Sequence, residues 1–319
     1  MSLMSPSNPK PISSGYVDLQ VNGCTGVDFN GDELSVEAMH GVCERLRDEG
    51  AAGFLPTVIT DEVDVMAGRL ARLAKVRRAD ALAEEMILGV HIEGPFISSA
   101  AGFVGAHPQA SVRPANLPQM ERLLEAADGL TRIVTLAPEH DEGLRVTRYL
   151  TDHGITVAAG HCDPSLKQLE AAIDAGLSMF THLGNGCPTM VNRHDNIIQR
   201  VLSFSSRLWI SFIADGAHVP FPTLGNYLRA AGIERCVVVS DAISAAGLGP
   251  GRYRVGDQIA VVGEDQVPRS ADGTHFVGSA TTMARMADYL RRFLRLSEDE
   301  VFQLTSIGPR SVLGSGPGA

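Results

Sequence analysis

Short apolar runs alternate with amphipathic stretches along nearly the whole chain. The runs predict strands at 16–20, 53–57, 86–92, 132–137, 155–160, 179–182, 208–214 and 236–241. Between them apolar residues recur at spacings of three and four, as in VEAMHGVCERLRDEG before the second strand and LKQLEAAIDAG before the sixth. Several of these patterns end in a glycine, as helices commonly do. Eight strand–helix units predict one (β/α)8 barrel of the α/β class over residues 15–313. A doubly wound sheet is the alternative, but no GxGxxG follows the first strand, and a count of eight favours the barrel. After the eighth strand the pattern breaks into GLGPGRYRVGDQIAVVGEDQVPRSADGTHFVGS, with QIAVV as one strand of a hairpin. That stretch is too long for a plain connection and is either disordered or part of a site. Helical patterns resume over 279–293 and 297–306. Residues 1–14 and 314–319 read as flexible tails, and no internal repeat or second domain is visible.

In this fold chemistry is built where strands end, at the carboxyl face. The third strand closes in GVHIEGPFI, which sets Glu93 at the end of an apolar run. A buried, unpaired carboxylate is costly, so Glu93 either lies in solvent or has a positive partner. The other strand ends offer Asp18, Gln20 and Asn22, then His91, His161, His182, Asp215, His218 and Asp241. A single histidine after a strand is ordinarily a hydrogen-bonded loop residue, and Asp215 reads as a helix cap. The set resists that reading. Glu93, His161, His182, His218 and Asp241 come from five strands yet share one end of one barrel.

A cation gives Glu93 its partner and gives His161 and His182 a role. Two neutral imidazoles and a carboxylate with an open position suit a hydrolytic zinc site. The same donors suit non-haem iron, but Asp241 standing by as a base favours zinc. Such a metal activates a water, and Asp241 takes its proton and returns it to the leaving group. His218 either donates to a carbonyl oxygen or binds a substrate anion. His91, two residues before Glu93, shares its side of the strand and fits a supporting layer.

Composition narrows the picture further. With 319 residues, 44% hydrophobic and 20% charged, the chain reads as an ordinary globular enzyme. A net charge of −10 argues against a nucleic-acid or anionic-membrane surface. Five widely spaced cysteines without a CxxC pair predict neither a disulfide framework nor a cysteine–zinc site, which fits a reducing cytoplasm. MSLMSPSNPKPISS lacks the charged-then-apolar pattern of a secretory leader, and no apolar run approaches the roughly 18 residues of a membrane span.

With these residues in hand, the sequence resembles the N-acetylglucosamine-6-phosphate deacetylases of the amidohydrolase superfamily. The motifs that carry the resemblance are DLQVNGCTGVDF, FLPTVIT, HIEGPF followed by GAH, LAPE, GHCD, THLGN, IADGAHV, SDAISAAG and GSATTM, spread over nearly the whole chain. The resemblance implies metal ligands at Glu93, His161 and His182 and a catalytic aspartate at Asp241. It implies substrate contacts at Ala106, His107, Asn185, Gly186, Arg193, His218 and the Phe276–Val277–Gly278 stretch. His218 or His107 would stabilise the oxyanion. Arg193 suits a phosphate and resembles an arginine supplied across a homodimer interface. Many amidohydrolases carry His-x-His on the first strand and bind two metals; Gln20 and Asn22 stand there, which implies one divalent ion, zinc preferred and Fe2+ possible. Gln20 is as well read as a turn residue as a substrate contact. The implied reaction is hydrolysis of the N-acetyl group of a phosphorylated amino sugar. The alternatives are another acylated sugar phosphate, such as N-acetylgalactosamine 6-phosphate, or a non-catalytic sugar-phosphate binder.

Four departures from the family pattern bear on the site. The segments before and after the barrel are too short for the usual small β-sandwich to be expected from them. Gly184 and Gly186 replace an aromatic residue and an alanine, which would widen the sugar pocket. The stretch ISSAAGFV is longer than usual and would move His107. Gly308-Pro309-Arg310 stands where Asn-Pro-Ala is usual.

Overall fold

The computed structural model describes residues 15–256 and 258–314; the two predicted tails, 1–14 and all but the first residue of 314–319, lie outside the described residues. Eight parallel strands follow one another around a single sheet: β1 (Tyr16–Val21), β2 (Ala51–Ile59), β3 (Val90–Glu93), β4 (Thr131–Leu136), β5 (Thr156–Ala159), β6 (Met179–Phe180), β7 (Trp209–Ile213) and β8 (Cys236–Val239). Backbone bonds from Asp241 to the Gln20 carbonyl (3.0 Å) and from Asn22 to the Ala242 carbonyl (2.7 Å) join the end of β8 to the end of β1 and close the barrel. Each strand is followed by a helix: α1 (Val36–Asp48), α2 (Val63–Ala79), α3 (Leu117–Ala126), α4 (Arg145–Asp152), α5 (Leu166–Asp174), α6 (Ile197–Ser203), α7 (Phe221–Ala231) and α8 (Met283–Leu294). The (β/α)8 architecture is therefore as the hydrophobic pattern predicts, and no β-sandwich accompanies it among the described residues.

The local reasons are ordinary. Strands covered by the barrel interior on one face and by helices on the other read as unbroken apolar runs, as in the wholly buried Cys236–Val239. Ser35, Asn116, Ser165 and Asn196 accept a backbone N–H at the starts of α1, α3, α5 and α6, and Ser165 with Gln168 forms a reciprocal capping box.

Three expectations are corrected. The apolar run 86–92 is not one strand: residues Ala81–Met86 form a short helix capped by Asp80, and β3 begins only at Val90. A short apolar run cannot show by periodicity where helix gives way to strand. Helix α8 begins at Met283 rather than at 279, because Ser279 pairs with the end of β8 through Ser279 N to Asp241 O (2.9 Å) and Ile243 N to Ser279 O (3.0 Å). The Gly-rich stretch after β8 is ordered. It forms an antiparallel sheet of β9 (Gly251–Val255), β10 (Gln258–Val262) and β11 (Pro268–Ser270), with a small core of its own that includes Ile243, Ala260 and Val277.

At the opposite end, residues Glu298–Phe302, one π-helical turn (Gln303–Ile307) and Gly308–Leu313 run beneath the barrel. Ser306 Oγ and Arg310 Nη2 both donate to the Gly15 carbonyl, at 2.9 and 3.2 Å. The Gly308-Pro309-Arg310 departure thus concerns the floor of the barrel and not its carboxyl face.

Candidate metal centre and active site

Glu93 is the last residue of β3, while His161, His182 and Asp241 each stand two residues beyond β5, β6 and β8. All three of the latter adopt a left-handed backbone, with φ of 52°, 35° and 49°. Such values are uncommon outside glycine and cost on the order of 1–3 kcal/mol. Neighbouring strands hold them: His182 N donates to Ser211 Oγ (2.7 Å), Asp241 N to Gln20 O (3.0 Å), and Ser98 N to His161 O (2.9 Å). Strain of this kind, repeated at three strand ends, marks a constrained site rather than a connection.

The side chains converge. Glu93 Oε1 lies 3.3 Å from His161 Nε2 and 2.9 Å from His182 Nε2, and a ligand atom from each of the three residues fits within 4.8 Å of the others. The proton on His161 can be placed. Its Nδ1 is 2.8 Å from the Phe103 carbonyl, which only accepts, so Nδ1 is the donor and a neutral ring turns the lone pair of Nε2 toward Glu93. Two acceptors facing each other across 3.3 Å are resolved by a cation between them. The donor set therefore fits a divalent metal. Burial alone would raise the Glu93 pKa, but the hydrogen bond and charge of His182 oppose it, and the carboxyl is held well below its usual range. Burial disfavours a charged His182, yet the same carboxylate raises its pKa.

Two neutral amides from β1 organise the acid residues. Gln20 Nε2 donates to Glu93 Oε2 and to Asp241 Oδ1, both at 3.1 Å, and Asn22 Nδ2 donates to Asp241 Oδ1 at 2.7 Å. Gln20 is buried beneath the site and is a turn residue in neither position nor contact. The clamp occupies Asp241 Oδ1, and no hydrogen bond to Oδ2 is formed among the described residues. Burial, followed by the charge of Glu93, raises the Asp241 pKa.

His91 sits behind this layer. Its Nε2 contacts Thr135 Oγ1 at 2.8 Å, which contacts Thr181 in turn, so it hydrogen-bonds none of the three clustered residues. Burial pushes His91 down to about 4. His107 does reach the site despite the longer preceding loop, with Nε2 3.9 Å from Glu93 Oε2. Thr60 Oγ1 donates to the Glu93 carbonyl (3.3 Å) and stands 2.8 Å from His107 Nδ1. Burial, with the neighbouring His161, pushes His107 down to about 3, so its ring is neutral.

A cavity of about 730 Å³ opens above these groups. Ala106, Asn185, Gly186, His218 and the Phe276–Gly278 stretch border it, as do Glu93, His107, His161, His182 and Asp241. Gln258 on β10 was not singled out from the sequence; it lines the cavity and donates to the Ala106 carbonyl at 2.5 Å. Arg193 is exposed and does not line the cavity of its own chain. Both glycines of THLGNG border the cavity. Gly186 has φ 60°, and a Cβ there would stand 2.9 Å from His161 Nδ1, so the loop lies closer to that ring than it could with the alanine usual in the family unless loop or ring shifted.

Asp215 caps no helix; α7 begins after Pro220, with no side-chain cap. Its Oδ1 accepts from the amides of Ala217 and His218 at 2.9 Å, and its Oδ2 stands 2.7 Å from His218 Nδ1 and 3.1 Å from Ser279 Oγ. The signal for this pair was present in DGAH, where an acid and a histidine sit three apart across a glycine. Thr60 and Ser279 left no comparable trace, since a hydroxyl is legible only through its partner.

A parallel barrel with a buried Glu–His–His cluster and an adjacent half-buried aspartate at its carboxyl face defines a metal-dependent hydrolase of the amidohydrolase type. No family model matches the chain. It is 32% identical over 302 residues to the N-acetylglucosamine-6-phosphate deacetylase of Bacillus subtilis (strain 168), spanning 94% of this chain and 74% of that protein. It is 30% identical over 308 residues to the N-acetylgalactosamine-6-phosphate deacetylase of Escherichia coli O157:H7, spanning 95% and 78%. Among solved structures, a mutant N-acetyl-D-glucosamine-6-phosphate deacetylase from Mycobacterium smegmatis, in complex with N-acetyl-D-glucosamine-6-phosphate, superposes with a TM-score of 0.84 at 28% identity, covering 94% of this chain and 77% of that one. The chain belongs to the N-acetylglucosamine-6-phosphate deacetylase family.

Proposed function

We propose that the protein hydrolyses the N-acetyl group of N-acetylglucosamine 6-phosphate to acetate and glucosamine 6-phosphate. The observation that carries this reading is the pairing of the Glu93–His161–His182 cluster with Asp241, whose Oδ1 is clamped by Gln20 and Asn22 at the floor of the cavity. Glu93, His161 and His182 would hold one divalent ion, with zinc the best match to two imidazoles and a carboxylate. When bound, that ion supplies an activated water and a Lewis-acid contact for the acetyl oxygen. Asp241 takes a proton on Oδ2 and gives it to the departing nitrogen. His218 donates to the acetyl oxygen as charge develops there. His107, neutral and facing the site through Nε2, contacts a sugar hydroxyl or the acetyl group. Ala106, Asn185, Gly186 and the Phe276–Gly278 stretch shape the sugar pocket.

Arg193 is exposed in one chain, and the phosphate is assigned to an Arg193 reaching in from the second subunit of a homodimer. A single-barrel domain over residues 15–313 and a cytoplasmic location belong to the same reading. The described cysteines are all unpaired, and no helix among the described residues is long and apolar enough to cross a membrane.

The epimer N-acetylgalactosamine 6-phosphate remains the second reading, because relatives named for it match at 30% and 32% identity, within the range of those named for the glucosamine sugar. Acetate release measured side by side on the two epimers tests the assignment. A higher kcat/KM on the glucosamine epimer supports it. A higher value on the galactosamine epimer moves the protein to the second reading, and no release from either overturns both.

A further inference from the structure

We propose that Asp215 is a positioning residue for His218, fixing the ring through Nδ1 so that Nε2 alone meets the acetyl oxygen and compensating the imidazolium that donates to it. This rests on the deacetylase reading and adds to it a residue that touches no substrate. The geometry is closed on every side. Asp215 Oδ2 lies 2.7 Å from His218 Nδ1, and the two side chains are only 4% and 6% exposed. A carboxylate is an acceptor only, so Nδ1 carries the hydrogen and Nε2 is the working nitrogen of a ring that borders the cavity. Oδ1 is fixed by two amides, and Ser279 Oγ donates to Oδ2, so the carboxylate cannot swing away from the ring. The edge-on Phe276 ring, with its centroid 5.1 Å away, closes another side of His218.

The backbone is built for this pair. Gly216 between them has φ 80°, and a Cβ there would strike the Phe221 ring at 2.5 Å. Only glycine lets the chain double back and set the ring over the carboxylate. Ser279 arrives from the stretch that pairs with the end of β8, so the pair is pinned between the β7 and β8 connections. Burial pushes Asp215 upward, but the His218 contact and the two amides outweigh it and hold the carboxyl below its ordinary value. A carboxylate orienting an imidazole through Nδ1 is how hydrolases hold a histidine in one tautomer and stabilise its charged form. His107 has only the Thr60 hydroxyl in that place, which accounts for the different tasks given to the two histidines.

The test uses the full chain with its metal and compares wild type, Asp215→Asn, His218→Asn and the double variant. Asp215→Asn should lower kcat by about 100-fold while KM stays within about threefold and the metal content is unchanged. The double variant should be no slower than His218→Asn by more than about threefold, because Asp215 acts only through that ring. In 15N spectra of histidine-labelled wild type, the resonance absent from His218→Asn should report a protonated Nδ1. Ser279→Ala, which leaves the pair in place, should lower kcat by about 3- to 10-fold and gives a second handle should Asp215→Asn not fold. Wild-type turnover in Asp215→Asn, full multiplication of losses in the double variant, or an unprotonated Nδ1 would each overturn the proposal. If wild type releases no acetate, the deacetylase reading fails, while the spectrum still decides whether Asp215 fixes the ring.

Discussion

Asp18 offers a quantitative test of how the floor of the site is built. It lies near the middle of β1, 6% exposed, and its Oδ1 accepts from Ser240 N at 3.1 Å and Gln20 N at 3.3 Å, tying β1 to β8 just below Asp241. Burial pushes its pKa up from 3.8 to about 7, with bonds from Ser240 and Gln20 opposing the rise and the charge of Asp241 adding to it. The folded protein therefore holds a proton on Asp18 that the unfolded chain gives up near pH 4. Stability from this group is fully present below the unfolded value and is lost as pH rises toward the folded one. A difference of about three pKa units corresponds to roughly 4 kcal/mol, released at up to about 1.4 kcal/mol per pH unit. Asp18→Asn keeps an acceptor for both amides and cannot ionise. Urea unfolding of wild type and variant from about pH 5 to about pH 8 should show the variant gaining relative stability by about 1.4 kcal/mol per unit, levelling off above about pH 7. A difference that stays flat over that range would refute the reasoning, since every other titrating group cancels between the two proteins.

Other consequences are equally concrete. Gln20→Met removes the one donor shared by Glu93 and Asp241; with charge-assisted bonds worth about 1.5–3 kcal/mol each, kcat should fall by about 30- to 100-fold while metal content stays near wild type, as read by acetate kinetics and metal analysis. Arg193→Gln should raise KM for the phosphorylated sugar by about tenfold or more without lowering kcat, and the effect should vanish with the unphosphorylated sugar.

What the sequence discloses here divides along physical lines. Barrel strands buried on both faces are mostly apolar, so all eight were legible as runs. Their ends are where polarity returns, so Glu93, His161, His182 and Asp241 stood out. The 86–92 run misled because Met86 closes a short helix and Val90 opens a strand, with no polar residue to mark the change. The sheet of β9–β11 was legible only as a hairpin fragment, since its strands bury few residues and its Gly-rich turns also suit a disordered loop. Gln20 and Asn22 announced their position but not their task. A neutral amide shows its function only when the carboxylates it bridges, 73 and 221 residues away for Gln20, are brought beside it. The reading of Asp215 failed for the opposite reason: a nearby helix start offered a local role, while its true partners were His218 and the distant Ser279.

The central claim is that Glu93, His161 and His182 hold one metal and that Asp241, held on one oxygen by two amides, performs the proton transfers. It is tested most directly by measuring acetate release from N-acetylglucosamine 6-phosphate for wild type and Asp241→Asn at matched metal content. About one ion per chain is expected in both proteins, with acetate release by wild type and a loss of at least about 1000-fold in the variant. Release that persists in Asp241→Asn at full metal occupancy would contradict it.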